Sequence, residues 1–503
     1  MKAFPETIPE LLDWRAAQSP GRPWLFFEEE SWTLGEVARR AGQQAAGLAA
    51  RGVGRRDRVA LLIGNRPEAL FGWFGANRLG AIAMLLNPAL KAPEIAGALR
   101  LTTPRVMVVA PEHRALAEAA CGDLDPRPLL VTPEELDDTT SAAPPAAAQP
   151  DDVAVLITTS GTTGTPKAVM QTHRAYTMTA ESFPWWLGLG ASDRLLIALP
   201  LFHINAQAYA TLGALGAGAD VPGSGGASLA LLPKFSASRF WEDAARLGAT
   251  EVNMVGAMVH ILLKTEPRAA DRAHGLRIVY TALALPEEQH RAFEERFGVK
   301  MVVGYGLSES TFGTIWPREG PPPYGTMGKL RQHPRLGEVN RARVVRDDGS
   351  EAGDNEAGEL WLSNPATMRG YFQAPEETAK ALSDGWLRTG DIVRQHGGLY
   401  TFVARKKDVI RRRGENVSSA EIEGVLLAHP SVGEAAAIGV PSELGEDEIV
   451  AYVAPRPGAT VDVAALRAFA SERLADFKVP SVIHVRDVLP RTATERIAKH
   501  LLR

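Results

Sequence analysis

Ten consecutive residues, Thr158-Thr159-Ser160-Gly161-Thr162-Thr163-Gly164-Thr165-Pro166-Lys167, bring hydroxyls, glycines and a cation together in a way suited to holding an anion. Gly161 and Gly164 let the backbone turn and bring N–H groups close to an oxyanion. The hydroxyls of Thr159, Ser160, Thr162 and Thr163 add donors, and Lys167 adds a mobile charge. The spacing is Gly-x-x-Gly-x-x-Lys rather than Gly-x-x-x-x-Gly-Lys-Ser/Thr, which removes the main support for a generic nucleoside-triphosphatase loop. The apolar run Val153-Ala154-Val155-Leu156-Ile157 reads as a buried strand leading into the loop, at the strand end where open α/β sheets bind ligands.

Three further groups have chemistry in them. Tyr305-Gly306-Leu307-Ser308-Glu309 follows the strand-like Val302-Val303 and offers an aromatic face, a hydroxyl and a hard oxygen ligand. Asp384-Gly385-Trp386-Leu387-Arg388-Thr389-Gly390-Asp391 is a tight turn that ends in a carboxylate. A basic stretch, Arg405 to Arg413, and a tail, Leu489-Pro490-Arg491-Thr492-Ala493-Thr494-Glu495-Arg496-Ile497-Ala498-Lys499, supply cations.

The elements that must position these groups alternate in type. Thr33 opens a helix-like stretch running to about Gly52, Val59 to Ile63 reads as a strand, and a helix rich in Phe71, Trp73 and Phe74 reads as core. Strand signals recur at Arg105 to Ala110, Leu195 to Leu199, Leu229 to Leu232, Glu251 to Val255 and Arg277 to Thr281, with a helix start at Pro286. Such alternation argues for parallel α/β layers. Glu134 to Asp152, with Pro144-Pro145 and a run of alanines, reads as a surface connector. Ser418 to Glu421 reads as a capping box opening a helix with Ile422, Val425 and Leu426 on one face. Strands at Glu434 to Val440 and Ile449 to Val453 and a helix from about Val463 complete a small α+β unit.

At 503 residues the chain is too long for one core, and its 45% hydrophobic and 23% charged composition is that of a soluble globular protein. A net charge of −4 gives no reason to expect a nucleic-acid partner. The single Cys121 excludes an internal disulfide or a multi-cysteine metal site and suits a reducing cytoplasm. No apolar segment reaches the length of a membrane span and no signal-peptide pattern opens the chain, so a cytoplasmic location is expected.

The loop and the two later motifs, in this order, resemble the signatures of the adenylate-forming superfamily, which includes acyl-CoA synthetases, firefly luciferase and peptide-synthetase adenylation domains. The resemblance covers essentially the whole chain. It implies an α/β fold: a large N-terminal domain of parallel-sheet subdomains plus a small β-barrel-like part (1–404), a hinge (405–410) and a small mobile α+β domain (411–503). It implies a two-step ligase in which a carboxylate and Mg-ATP give an acyl-adenylate, and coenzyme A then displaces AMP. By the same resemblance Tyr305 faces adenine, Ser308 contacts phosphate, Glu309 holds Mg2+, Asp391 accepts the ribose hydroxyls and Arg405 contacts ribose or phosphate. His203, in Pro200-Leu201-Phe202-His203, falls beside the carboxylate pocket, Lys407 at the pivot and Gly414 on the pantetheine tunnel, with Arg411 to Arg413, Arg412 among them, attracting the phosphates of coenzyme A. The partners expected are a carboxylic acid, ATP and coenzyme A, with a homodimer as the protein partner.

Two departures from the family pattern stand out. Thr281-Ala282-Leu283-Ala284-Leu285-Pro286 replaces Gly-Gly-Ala-Pro-Leu-Pro, which narrows the acyl pocket toward a small or medium acid. For a quaternary ammonium acid, Phe235, Phe240 and Trp241 are the nearby aromatic candidates. Arg496 stands where relatives carry the adenylation lysine. Its planar fork is not equivalent to an ammonium, so adenylation is expected to slow by roughly 10²–10³-fold, unless the pocket has been shaped around arginine. The branch most resembled is carnitine/crotonobetaine-CoA ligase. The competing classes are a carrier-protein-loading adenylation enzyme and an adenylate-binding protein with impaired ligase activity. If Lys407 is the pivot, Lys407→Pro fixes φ there and spares one half-reaction while blocking the other. Single-turnover assays of adenylate formation and of thioester formation check this; equal loss of both in folded protein moves the pivot elsewhere.

Overall fold

Runs that are apolar at every position become strands covered on both faces: Val106–Val109 is buried along its whole length. The computed structural model describes residues 4–137, 142–159, 167–219, 225–282, 284–412, 415–441, 447–492 and 496–502. Two large sheets organise the N-terminal part. The first has seven strands in the order Gly370–Tyr371, Lys167–Thr172, Val153–Thr159, Ile82–Leu85, Arg58–Leu62, Val106–Val109 and Leu129–Val131. The last five of these are parallel, whereas Lys167–Thr172 turns straight back along Val153–Thr159, pairing Thr159 with Lys167. The second sheet has nine strands and is parallel from Pro23–Phe27 through Ser228–Leu231, Arg194–Ile197, Glu251–Met254 and Ile278–Thr281 to Lys300–Tyr305.

The helices that cover these sheets form where the sequence places their caps and apolar faces. Thr33 and Glu36 satisfy each other's orphan backbone donors in a capping box at the start of Leu34–Ala50. Trp73 and Phe74, on Pro67–Arg78, are buried in the largest core cluster, as their spacing predicts. The stretch from Glu134 to Asp152 is largely exposed, as a surface connector should be, but it is anchored at several points. Leu136 is wholly buried, Arg78 Nε donates to the Pro144 carbonyl (2.7 Å), and Asp152 receives both Arg55 Nε and Nη2 at 2.8 and 2.7 Å. Its backbone carbonyls and acids satisfy arginines on the neighbouring surface, which composition alone does not reveal.

A five-stranded antiparallel sheet follows, with Arg341–Val345, Ala357–Ser363, Trp386–His396 and Leu382–Ser383 in order and Leu399–Arg405 paired to Trp386–His396. The C-terminal part has its own core of Ile410, Val417, Ile422, Leu426, Ala451 and Leu466. It is built on the sheet Val432–Pro441, Asp447–Pro455 and Val482–Val485. Ser418 caps Ser419–Ala428 by accepting the Glu421 N–H (3.3 Å), but the Glu421 carboxylate turns to Lys478 at 2.7 and 2.9 Å, an available cation that replaces the second half of the box. Among the described residues no helix is long and apolar enough to cross a membrane.

His173, at the start of His173–Leu187, is wholly buried, its Nδ1 accepting the Ile8 N–H at 3.3 Å. Burial pushes its pKa from 6.5 down to about 4. The unfolded chain therefore binds a proton that the folded one refuses between pH 6.5 and 4, and stability is lost as pH falls through that window. We expect a loss of about 2 kcal/mol by pH 5 from this group. Urea midpoints at pH 7.5 and 5 should fall less in His173→Gln than in the native chain.

Candidate functional site

Strand ends and an antiparallel register bring the charged groups of the site together. Asp391 and Arg405 are opposite each other on Trp386–His396 and Leu399–Arg405, and Arg405 Nε lies 2.8 Å from Asp391 Oδ1. Tyr305, the last residue of Lys300–Tyr305, donates its hydroxyl to Asp391 Oδ2 at 2.6 Å. The carboxylate is wholly buried, and Oδ1 receives no hydrogen bond despite the ion pair, so it keeps an acceptor site for another hydroxyl. Burial pushes the Asp391 carboxyl up, while Arg405 and the Tyr305 hydroxyl pull it back. Tyr305 itself packs among Met327, Leu360, Leu362, Val393 and Tyr400 and is only 8% exposed. This corrects the expectation of an open aromatic face: the ring is enclosed because it belongs to a local core, and its hydroxyl orients Asp391.

A second chain of contacts runs along Gly370–Tyr371. The Tyr371 hydroxyl donates to Glu309 Oε1 (2.9 Å), and the Met368 N–H holds the Glu309 carbonyl (2.7 Å). Lys167 lies 5.0 Å from the Tyr371 ring centre and pairs with Glu377 on the helix Pro375–Ala381. The hydrogen bonds from Lys167 and Lys380 hold the half-buried Glu377 carboxyl down to about 2. Gln171 Nε2 donates to the Ser308 carbonyl at 2.6 Å, so that motif is anchored to the Lys167–Thr172 strand. The loop residues Ser160, Gly161, Thr162, Thr163 and Gly164, expected to hold the nucleotide, lie outside the described residues, as do Arg413, Gly414 and Leu283. Of Thr159 and Lys407 only the backbone is described, Lys407 in a tight turn over Lys406–Asp408.

Arg496 reaches the same place from the C-terminal part. Its loop is closed by an antiparallel bridge between Arg491 and Ile497 and by the Thr492 N–H on the Arg496 carbonyl (2.7 Å). The guanidinium lies in the field of Arg405, Asp391 and Glu309, and burial followed by Arg405 lowers its pKa. Arg496 is exposed to solvent although these charges crowd around it. Among the described residues its side chain has no hydrogen bond and no ion pair within 4.0 Å. His203 is half-buried with its ring 4.4 Å from that of Phe202, and burial followed by Arg496 pushes its pKa to about 4, so it is neutral at physiological pH.

Two expectations from the sequence are corrected. Arg412 is not free to attract phosphates: it pairs with Glu448 at 3.2 Å and donates to the Val479 carbonyl at 3.2 Å, because the facing strand supplies an acid. Phe240 and Trp241 are wholly buried, with Trp241 stacked on Phe297 at 4.4 Å and His274 at 4.6 Å, so they belong to the core and not to a substrate cage. Lys499 is held within the C-terminal part by Glu423 (2.6 Å) and Ser419 (2.8 Å). Sequence reasoning missed Glu377, the acid on Lys167, and Lys406, which spans to Glu359 and Asp347 at 3.1 Å each. The only sequence signal for Glu377 is an acid in the first turn of a Pro-led helix, which ordinarily reads as a dipole contact.

The family model "AMP-binding enzyme" matches residues 12–372, and "AMP-binding enzyme C-terminal domain" matches 421–496. The chain belongs to this family, and within it to the AMP-forming acyl-CoA synthetases. It is 34% identical over 508 residues to sulfoacetate–CoA ligase of Cupriavidus necator, covering 98% of this chain and 97% of that protein. Crotonobetaine/carnitine–CoA ligase of Salmonella arizonae is 30% identical over 489 residues, covering 90% and 89%. Among solved structures, the anthranilate CoA ligase AuaEII in complex with anthranoyl-AMP superposes with a TM-score of 0.87 at 26% identity, covering 100% of this chain and 97% of that one.

Tyr305→Phe removes the donor to a buried carboxylate and keeps the ring. We expect about 1.5–3 kcal/mol lower stability and weaker AMP binding, read by urea unfolding and calorimetric titration. Unchanged values for both would show that the hydroxyl does not orient Asp391.

Proposed function

We propose that this protein activates a small carboxylic acid with Mg-ATP and transfers the acyl group to coenzyme A. The observation that carries the reading is the convergence of Arg496 from the C-terminal part with Asp391, Glu309 and His203 from the N-terminal part. A carboxylate oxygen of the acid bonds to the α-phosphorus while the bond to the β-phosphate oxygen breaks, and pyrophosphate leaves with that electron pair. Arg496, with its guanidinium free of hydrogen bonds to the described residues, stabilises the charge that builds on the acid and the transferring phosphate. Asp391 accepts the ribose hydroxyls through Oδ1, Arg405 contacts the ribose or the phosphate, and the loop Thr159–Lys167, with Ser308, cradles the phosphates. Neutral His203 adds a wall and a hydrogen-bonding ring beside the acid without adding charge. In the second step the thiolate of coenzyme A attacks the acyl carbon, and AMP leaves with the electrons of its carbon–oxygen bond.

Glu309 fits a magnesium site. Its Oε1 is held by Tyr371, its Oε2 accepts no hydrogen bond from the described residues, and one carboxylate completed by phosphates and waters is the usual protein share for Mg2+. Bound there, the ion would offset phosphate charge. Among the described residues no cluster of three or more acids, histidines or cysteines could hold a metal without such help.

The division into 1–404, 405–410 and 411–503 is part of the proposal. It is supported by the separate C-terminal core and by Ser418 Oγ reaching across to the Val403 carbonyl at 2.7 Å. A cytoplasmic location fits the buried free thiol of Cys121. The two relatives differ in the charge of the acid they are named for, and the small-acid reading is shared by both.

Incubation with ATP, Mg2+ and a panel of acids, with and without coenzyme A, tests the reaction through AMP and thioester. Arg496→Lys tests the cation. The placement of the guanidinium favours the reading in which the pocket is shaped around arginine, so we expect a loss of adenylation rate of about tenfold or more. A large gain would instead show that arginine impairs the first step.

A further inference from the structure

Arg331 is wholly buried and has no acidic partner within 4.0 Å among the described residues. Its Nε donates to the Thr314 carbonyl (3.1 Å), Nη1 to the Tyr209 hydroxyl (2.6 Å) and the Thr311 carbonyl, and Nη2 to the Tyr280 hydroxyl. Aromatic faces complete the shell, with Trp186 at 4.7 Å and Tyr209 at 5.0 Å from the guanidinium carbon. Every one of these partners is neutral. Burial also raises the pKa of the buried acid Glu251, on the strand beside Tyr280. A positive charge therefore stands in the low-dielectric interior with four of its five N–H donors on neutral acceptors and no acid within 4.0 Å among the described residues.

The position of that charge gives it a use. Tyr305 holds Asp391, and the glycines on either side of Tyr305 touch the Arg331 group. A Cβ at Gly304 would meet the Tyr280 hydroxyl at 2.7 Å and Arg331 Nη2 at 2.9 Å. A Cβ at Gly306 would meet the Tyr209 hydroxyl at 2.6 Å and Arg331 Nη1 at 3.3 Å. Tyr209 lies on the wide helical turn Asn205–Thr211, which begins two residues after His203. The same short segments thus carry the proposed nucleotide and carboxylate contacts on one side and the uncompensated cation on the other.

We propose that Arg331 is a specificity-determining residue whose charge, felt across Gly304 and Gly306, selects a small acid carrying a second negative charge at its far end, such as a sulfonate or a second carboxylate. An acid ending in a quaternary ammonium is disfavoured by the same field, and the buried Phe240 and Trp241 offer it no cage. The inference rests on the acyl-CoA ligase reading above. Arg331 acts without touching the reacting atoms.

Three acids of matched shape separate charge from size: 3-sulfopropionate, 4,4-dimethylpentanoate and 3-(trimethylammonio)propionate. The readout is AMP release with ATP, Mg2+ and coenzyme A. The native protein should show the highest kcat/KM for the sulfonate, by about tenfold or more over the neutral acid, and the lowest for the cation. Arg331→Met keeps the volume and should collapse the sulfonate-to-neutral ratio toward one. Tyr280→Phe, which removes one hydroxyl from the guanidinium's shell, should lower that ratio in part and serves if the methionine variant does not fold. A native preference for the neutral or cationic acid overturns the proposal, as does a ratio unchanged in both variants. No AMP with any of the three overturns it together with the small-acid ligase reading, and is told apart from a failure of charge selection because no acid reacts.

Discussion

The carboxylate of Asp391 is the constraint on which the site depends. It is wholly buried, which raises its pKa, and that shift is countered by Tyr305, which donates to one oxygen at 2.6 Å, and by Arg405, which stands 2.8 Å from the other. These three residues come from two different sheets: Tyr305 ends a parallel strand of the nine-stranded sheet, while Asp391 and Arg405 are register partners in the five-stranded one. Removing either partner leaves a buried charge short of support, so the clamp ties the two sheets together at the point where the chain passes to its C-terminal part. Lys406, held by Glu359 and Asp347, fixes the residue next to the clamp in the same way.

The remaining charges are distributed by the same logic. Lys167 has Glu377 and the Tyr371 ring, Glu309 has the Tyr371 hydroxyl, and Lys499 has Glu423. Among the described residues Arg496 has no such contact and stands in the field of acids and near a neutral imidazole, which is the condition in which a cation is available to a ligand. Arg331 is the buried counterpart. Four of its five N–H donors rest on neutral acceptors and no acid lies within 4.0 Å among the described residues, which is the basis for proposing that its influence reaches ligands as a field.

Much of the scaffold was legible in the sequence because burial on both faces leaves a local signature. Val106–Val109, Ile278–Thr281 and Lys300–Tyr305 appear where apolar runs predict strands, and Leu34–Ala50 begins at the Thr33 capping box. The connector before Asp152 lies largely on the surface as its composition predicts, but its alanines and prolines carry no mark of the arginines that anchor it. Phe240 and Trp241 were open to two readings for a similar reason: an aromatic pair on a short helix has the same spacing whether it faces a core or a ligand.

By itself the sequence determined which residue types stand at the ends of which strands, since a loop of glycines and hydroxyls after an apolar run, or an acid closing a tight turn, is a local property. Tertiary structure alone decided the pairings. That Tyr305 serves Asp391 and not an open stacking face, that Arg412 is spent on Glu448, and that Arg331 is enclosed without an acid all depend on contacts between residues 36 to 122 positions apart. The reason is physical: a charge's behaviour is set by what surrounds it within a few ångströms, and chain folding supplies those neighbours from distant segments.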